Sequence, residues 1–211
     1  MRIIAGTYAS RRLETLKGQA TRPTLDKVKE AVFSALGGMF DGGTMLDLYA
    51  GSGAIGLEAV SRGMNQAVLV DQSHAAAEII RKNIALLGCQ KHTRLLAMND
   101  RKALSLLAKE GVQFDLVYLD PPYEKQHNEE VMTYLVEHGM LKNGARVVIE
   151  AKKEENYTQA FGPLQYQKEK VYGIMKITYS GLSRAIQKNA VNRQDRNEGI
   201  PVLLFLYKKE K

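Results

Sequence analysis

Met45-Leu46-Asp47-Leu48-Tyr49-Ala50-Gly51-Ser52-Gly53-Ala54-Ile55-Gly56-Leu57-Glu58-Ala59 is the stretch of this 211-residue chain that decides its fold. A short apolar run ends in Gly-Ser-Gly and passes into Ala, Leu and Glu, good helix formers. Strand, glycine loop and helix N-terminus in that order form the first crevice of a doubly wound sheet. Glycine lets the backbone approach a ligand closely, and the helix start offers unpaired N–H groups to an anion. A second apolar run, Ala67-Val68-Leu69-Val70-Asp71, follows one helix later and ends in an acid suited to ribose hydroxyls. Together the two segments predict a site for a nucleoside-type cofactor.

Strands are predicted near residues 44–50, 67–71, 93–99, 114–120 and 145–151, with helical patterns between them, such as 75–87 with Ile79, Ile80, Ile84 and Leu87. This alternation argues a parallel α/β sheet. Runs near 164–172 and 174–180, joined through Gly173, read as an antiparallel closing hairpin. Ahead of the core, residues 2–15 read as a small β-hairpin outside the main sheet. Thr24 can cap a helix over 25–36 with Val28, Ala31, Val32, Ala35 and Leu36 on one face and Gly37 at its end.

The fourth strand, Phe114-Asp115-Leu116-Val117-Tyr118-Leu119, runs into Asp120-Pro121-Pro122-Tyr123. Proline has no N–H and pushes its predecessor out of the α region, so the carbonyls of Asp120 and Pro121 escape the ladder. A carboxylate, free carbonyls and an aromatic ring at a strand end make a pocket for a planar amine. Taken alone, the motif is as consistent with an ordinary turn. The glycine loop also has the G-x-G-x-x-G spacing of Gly51, Gly53 and Gly56, which admits a nicotinamide dehydrogenase, but no hydride partner is evident.

Asp47 with Ala50-Gly-Ser-Gly53, Asp71, Asp100 after the third strand and Asp-Pro-Pro-Tyr after the fourth resemble the S-adenosylmethionine-dependent amino-methyltransferases. Met1-Arg-Ile-Ile-Ala-Gly6, Thr21-Arg-Pro-Thr24 with Asp26-Lys-Val-Lys-Glu30, Leu46-Asp-Leu-Tyr-Ala-Gly-Ser-Gly53 and Phe114 to Tyr123 narrow the resemblance to the bacterial 16S rRNA guanine-N2 methyltransferase family, RsmD. It runs from Met1 to about Ser180. It implies a Rossmann-like class I methyltransferase fold: a seven-stranded, mostly parallel sheet with an antiparallel closing hairpin. It also implies S-adenosyl-L-methionine as cofactor. Asp47, Ala50, Gly51 and Gly53 would hold the methionine end, Asp71 the ribose and Asp100 the adenine. Asp120 and the Pro121 carbonyl would take hydrogen bonds from guanine N2, and Tyr123 would stack on the base, which must be unpaired or flipped out. The same four-residue motif serves DNA and protein-glutamine methyltransferases, and a non-catalytic ribosome-assembly factor would share the nucleotide site. The Arg-Pro-Thr segment and the shortness of the chain favour RNA.

Composition fits one core: 45% hydrophobic and 25% charged over 23.5 kDa. A single domain over 1–211 is expected, divided into a basic N-terminal segment (1–24), a catalytic core (25–181) and a basic tail (182–211) that departs from the family pattern. No 18-residue apolar run occurs, and a cytoplasmic protein is expected. Cys89 is the only cysteine and reads as a core thiol, and the four histidines have no metal-ligand spacing with it, so no metal is expected. The net charge of +7 is concentrated at the ends. Residues 1–30 hold seven Lys/Arg against three acids, as do residues 182–211, which reads as two flanks gripping a polyanion. Arg11, Arg12 and Arg22 are the first candidates for RNA binding, with Arg2 and Lys17 beside them. The expected partner is 16S rRNA, free or within an assembling 30S particle, bound by a monomer, with no membrane association.

Overall fold

The computed structural model describes residues 1–16, 23–122 and 127–182. Among the described residues there are seven strands and five α-helices, alternating as far as β5. In chain order they are α1 (Pro23–Ala35), β1 (Thr44–Asp47), α2 (Ala54–Ser61), β2 (Gln66–Val70), α3 (His74–Leu87), β3 (Thr93–Leu96), α4 (Asp100–Lys109), β4 (Phe114–Leu119), α5 (Asn128–Glu137), β5 (Leu141–Lys152), β6 (Leu164–Tyr172) and β7 (Met175–Leu182).

The sheet order is β3-β2-β1-β4-β5-β7-β6. β1 to β5 pair in parallel, whereas β7 runs antiparallel between β5 and β6. The order reverses between β1 and β4, where α/β sheets open a crevice outside their strand ends. The closing hairpin is as the sequence predicts, and β7 continues to Leu182. β5 starts earlier than its apolar core because Leu141 pairs with Phe114 before an irregularity shifts the register to Leu116–Arg146.

Both sheet faces are covered. Leu46, Leu48, Val117, Leu119, Val147 and Ile149 turn to the α4/α5 side. Met45, Leu116, Tyr118 and Val148 turn the other way, beneath Val28, Val32 and Phe33 of α1 and Leu36 just after it. This is the period-2 alternation of a sheet buried on both sides. α1 begins at Pro23, so Thr24 lies inside its first turn rather than at the cap; proline suits a first helical position because its missing N–H would have no intrahelical partner. Val28, Val32 and Leu36 bury as expected, but Ala35 is exposed and Phe33 takes the deeper place. Cys89 is fully buried among α2 and α3 side chains.

The N-terminal segment folds back on itself with one bridge, Arg2 to Arg12, flanked by the Ile3 N–H to Arg11 O and Ser10 N–H to Ile3 O bonds. The expected hairpin is thus reduced to a single bridge and a loop. Ile3 and Leu13 pack on α2 and α3. Gly6 fits only as glycine: its φ is +85°, and a Cβ would lie 1.7 Å from the Ser61 carbonyl oxygen.

A candidate methyl-donor crevice and amine pocket

The end of β1 builds the first half of the site. Past Asp47 the chain still borrows ladder partners, with Leu48 N–H donating to Tyr118 O and Ala50 N–H to Val70 O. Gly51 (φ +57°) and Gly53 (φ +78°) then turn it into α2, Gly53 standing at the helix N-cap. A Cβ on Gly51 would meet no protein atom within 4 Å, so that edge of the loop faces open space. Gly56 is a packing glycine instead, since a Cβ there would strike Leu69.

Asp47 is 2% exposed, and its Oδ2 accepts from the Gly56 N–H at 2.9 Å. Burial pushes its pKa up to about 7, against the opposing Gly56 bond and with help from the nearby Asp71 charge. Asp71, just past β2, accepts from the Gly51 N–H at 2.8 Å and from Ser73 N–H at 2.8 Å. It therefore braces the glycine loop and lies at its rim. Asp100, the first residue of α4, accepts from Tyr49 Oη at 2.8 Å, from the Arg101 N–H at 2.8 Å and meets His127 Nε2 at 2.6 Å. Burial disfavours its charge, but these bonds outweigh it and hold its pKa below the ordinary carboxylate range.

The second half of the site is the end of β4. Asp120 is open to solvent, yet it is set deep at the strand edge, and it receives no hydrogen bond among the described residues. Its pKa lies well above the carboxylate range because of desolvation, then the charges of Glu150 and Asp47. Pro121 is buried and Pro122 exposed. Tyr123 lies outside the described residues, as does Arg22. Arg11 and Arg12 are exposed at the N-terminal bridge, and no ion pair joins either to an acid among the described residues. Arg2 is partnered at 3.8 Å by Asp26, and Lys29 is wholly buried, so part of the N-terminal positive charge serves the fold.

The structure thus brings Asp47, Ala50, Gly51, Gly53, Asp71, Asp100 and Asp120 to the carboxyl edge of the sheet around the β1/β4 switch. Sequence reasoning passed over several partners. Asn83 of α3, fully buried, donates to Ser52 O and Glu14 O and accepts the Glu14 N–H, tying the N-terminal segment to the glycine loop. Tyr49 and His127 surround Asp100, and Glu150 on β5 accepts from Tyr118 Oη at 2.7 Å. A lone polar residue at a strand or helix end is a weak signal when its partner is remote in the sequence.

This strand order, with one antiparallel strand inserted before the edge and a glycine loop at the switch point, defines the class I methyltransferase fold. A solved structure described as a putative methyltransferase, yhhF, of Escherichia coli matches it with a TM-score of 0.73 at 31% identity, covering 87% of this chain and 98% of that one. The chain belongs to the family described as Conserved hypothetical protein 95, matched over residues 1–181, which is the RsmD family its motifs resemble. It is 37% identical to the putative rRNA methyltransferase YlbH of Bacillus subtilis (strain 168), over 82% of this chain and 95% of that one. It is 32% identical to the ribosomal RNA small subunit methyltransferase D of Escherichia coli (strain K12), over 92% and 93%.

Proposed function

We propose that this protein transfers a methyl group from S-adenosylmethionine to the exocyclic N2 of a guanine in small-subunit rRNA. The observation that carries the reading is the opposition of two sites across the β1/β4 switch: a glycine loop with an open edge, and Asp120 followed by two prolines. Relatives bearing ribosomal RNA methyltransferase names, aligned over nearly their whole length, support rRNA over DNA or protein as the substrate.

The crevice fits the donor. Gly51 leaves room that any side chain would fill, and Asp71 lies where a ribose would meet the loop. Asp47 is a buried carboxylate with no cationic partner among the described residues, matched to an ammonium group at the methionine end. Asp100, with its acceptor oxygens at the α4 start, would take an adenine amine. Bound there, S-adenosylmethionine supplies an electrophilic methyl on a sulfonium.

The protein's own contribution is placement. An in-line displacement needs the amine nitrogen held on the axis of the departing bond, and effective molarities make such positioning a large share of the rate. Guanine N2 is a poor nucleophile because its lone pair is drawn into the ring. Hydrogen bonds from its N–H groups to Asp120 and to the Pro121 carbonyl favour a more nucleophilic geometry. In its ionised form Asp120 would also take the proton that the substituted amine sheds. Tyr123 would stack on a base taken out of pairing.

Small-subunit rRNA, free and as an assembled particle, incubated with protein and donor and then digested for nucleoside mass spectrometry, tests the reading. N2-methylguanosine is the expected product. Its absence from both substrates would contradict the proposal.

A further inference from the structure

We propose that Glu150 reads the N1–H of the target base beside Asp120, and so selects guanine. The inference rests on the guanine-N2 reading above and assigns a specificity-determining residue within the same pocket.

The geometry comes from strand register. Tyr118 pairs with Val148 and Leu119 with Ile149 on parallel neighbours, so the next step places Asp120 beside Glu150. Tyr118 and Val148 lie on the α1 side of the sheet, while Leu119 and Ile149 face α4 and α5. Alternation therefore returns Asp120 and Glu150 together to the α1 side. The Tyr118 Oη bond to Glu150 Oε2, 2.7 Å, fixes Glu150 on that face. With Oε2 occupied, Oε1 receives no hydrogen bond among the described residues, and neither does Asp120. Two acceptors thus stand next to each other on adjacent strands, with a hydroxyl orienting one of them. Desolvation and then the Glu150 charge raise the Asp120 carboxyl, and that second cause accords with this closeness.

Base chemistry then discriminates. On its Watson–Crick edge guanine presents two adjacent donors, N1–H and N2–H, whereas adenine and cytosine set an acceptor next to their amine. Two neighbouring acceptors complement only the first pattern. An adenine placed with its amine on Asp120 would turn a ring-nitrogen lone pair toward Glu150 Oε1, leaving two acceptors facing each other.

The decisive probe is 2-aminopurine, which keeps the N2 amine but has an unprotonated N1. It would be placed at the methylated position of small-subunit rRNA by ligation, after that position has been mapped. The parent protein should methylate it at least about a hundredfold less efficiently than guanine, as expected when a site built for an N–H meets an analogue lacking it. Parental efficiency on 2-aminopurine would overturn the proposal without recourse to any variant. In Glu150→Gln the Tyr118 hydroxyl keeps the amide oxygen, so the amide N–H₂ faces the base. Guanine methylation should fall roughly ten- to a hundredfold, and the preference for guanine over 2-aminopurine should narrow by at least about tenfold. An unchanged preference would mean that N1 is read elsewhere and would also overturn the proposal. Retained S-adenosylmethionine affinity shows that the variant is folded. Should it not bind donor, Tyr118→Phe carries the same test, since releasing Glu150 should narrow the same preference. If the parent forms no N2-methylguanosine even on guanine, the guanine-N2 reading itself fails and takes this proposal with it, a result distinct from the other two.

Discussion

Asp47 is a carboxylate held where solvent barely reaches it, and burial disfavours its ionised form. Its folded pKa, about 7, stands above the ordinary value of 3.8, so the native state binds more protons than the unfolded chain between those limits. This group's contribution to stability is therefore most favourable below about pH 4 and is lost as pH rises through about 7. Asp47→Asn keeps an oxygen for the Gly56 N–H and removes the charge. It should stabilise the protein at pH 8 by up to about 4 kcal/mol and flatten the pH dependence of urea unfolding between pH 4 and 7. It should at the same time weaken S-adenosylmethionine binding if the carboxylate meets the donor's ammonium group. Equal stability of parent and variant at pH 8 would show that Asp47 is not strained by burial. Asp47 stands out in the sequence only through the resemblance of Asp47-x-x-Ala-Gly-Ser-Gly to the amino-methyltransferases, whereas Asp71 and Asp120 also mark the ends of apolar runs. Glu150 was not legible in the sequence: it lies inside a strand, and only the register of β4 against β5 makes it Asp120's neighbour.

The helices and strands were readable where local chemistry set them, and the links between them were not. Apolar runs closed by Asp or Gly mark β1, β2 and β4, strand-like runs mark the other strands, and the 3.6-residue pattern marks α1 and α3. The junction that docks the N-terminal segment is different in kind. Glu58 of α2 is fully buried, and its carboxylate accepts from Ile4 N–H at 2.8 Å, Ala5 N–H at 3.0 Å and Arg62 Nε at 2.7 Å. Lys29 of α1 lies 3.1 Å away and reaches the Arg2 carbonyl. One acid thereby joins two helices and the N-terminal segment across more than fifty residues. In sequence it is merely a good helix former; the one available hint is that it is the sole charge in an otherwise small and apolar helix. Removing it leaves two buried cations without their counter-ion and two N–H groups without acceptors. Glu58→Ala should therefore cost about 3–5 kcal/mol in chemical denaturation. A loss below about 1 kcal/mol would mean the N-terminal segment docks by its apolar contacts alone.

Across the whole molecule, charge and chemistry are divided between different parts of the chain. The crevice at the sheet edge is lined with carboxylates, a poor surface for RNA phosphates, whereas exposed arginines stand on the N-terminal segment that Asn83 ties to the glycine loop. That division fits a basic flank gripping the backbone while the base enters the acidic pocket. Arg11, Arg12 and Arg22 replaced together by alanine should weaken binding to small-subunit rRNA and lower the log–log salt slope by about 0.7–0.9 for each phosphate no longer neutralised. Donor affinity should not change. An unchanged slope would move the footprint away from this flank; the basic tail that the sequence singles out beyond Leu182 lies outside the described residues. In the proposed function Asp120 is the group that receives the amine. The most direct measurement is single-turnover methylation of small-subunit rRNA by parent and Asp120→Ala, with N2-methylguanosine quantified and donor affinity determined alongside. The prediction is a rate lower by roughly 10²–10⁴ in the variant, with S-adenosylmethionine binding within about twofold of the parent. N2-methylguanosine formed at the parental rate without that carboxylate would contradict it.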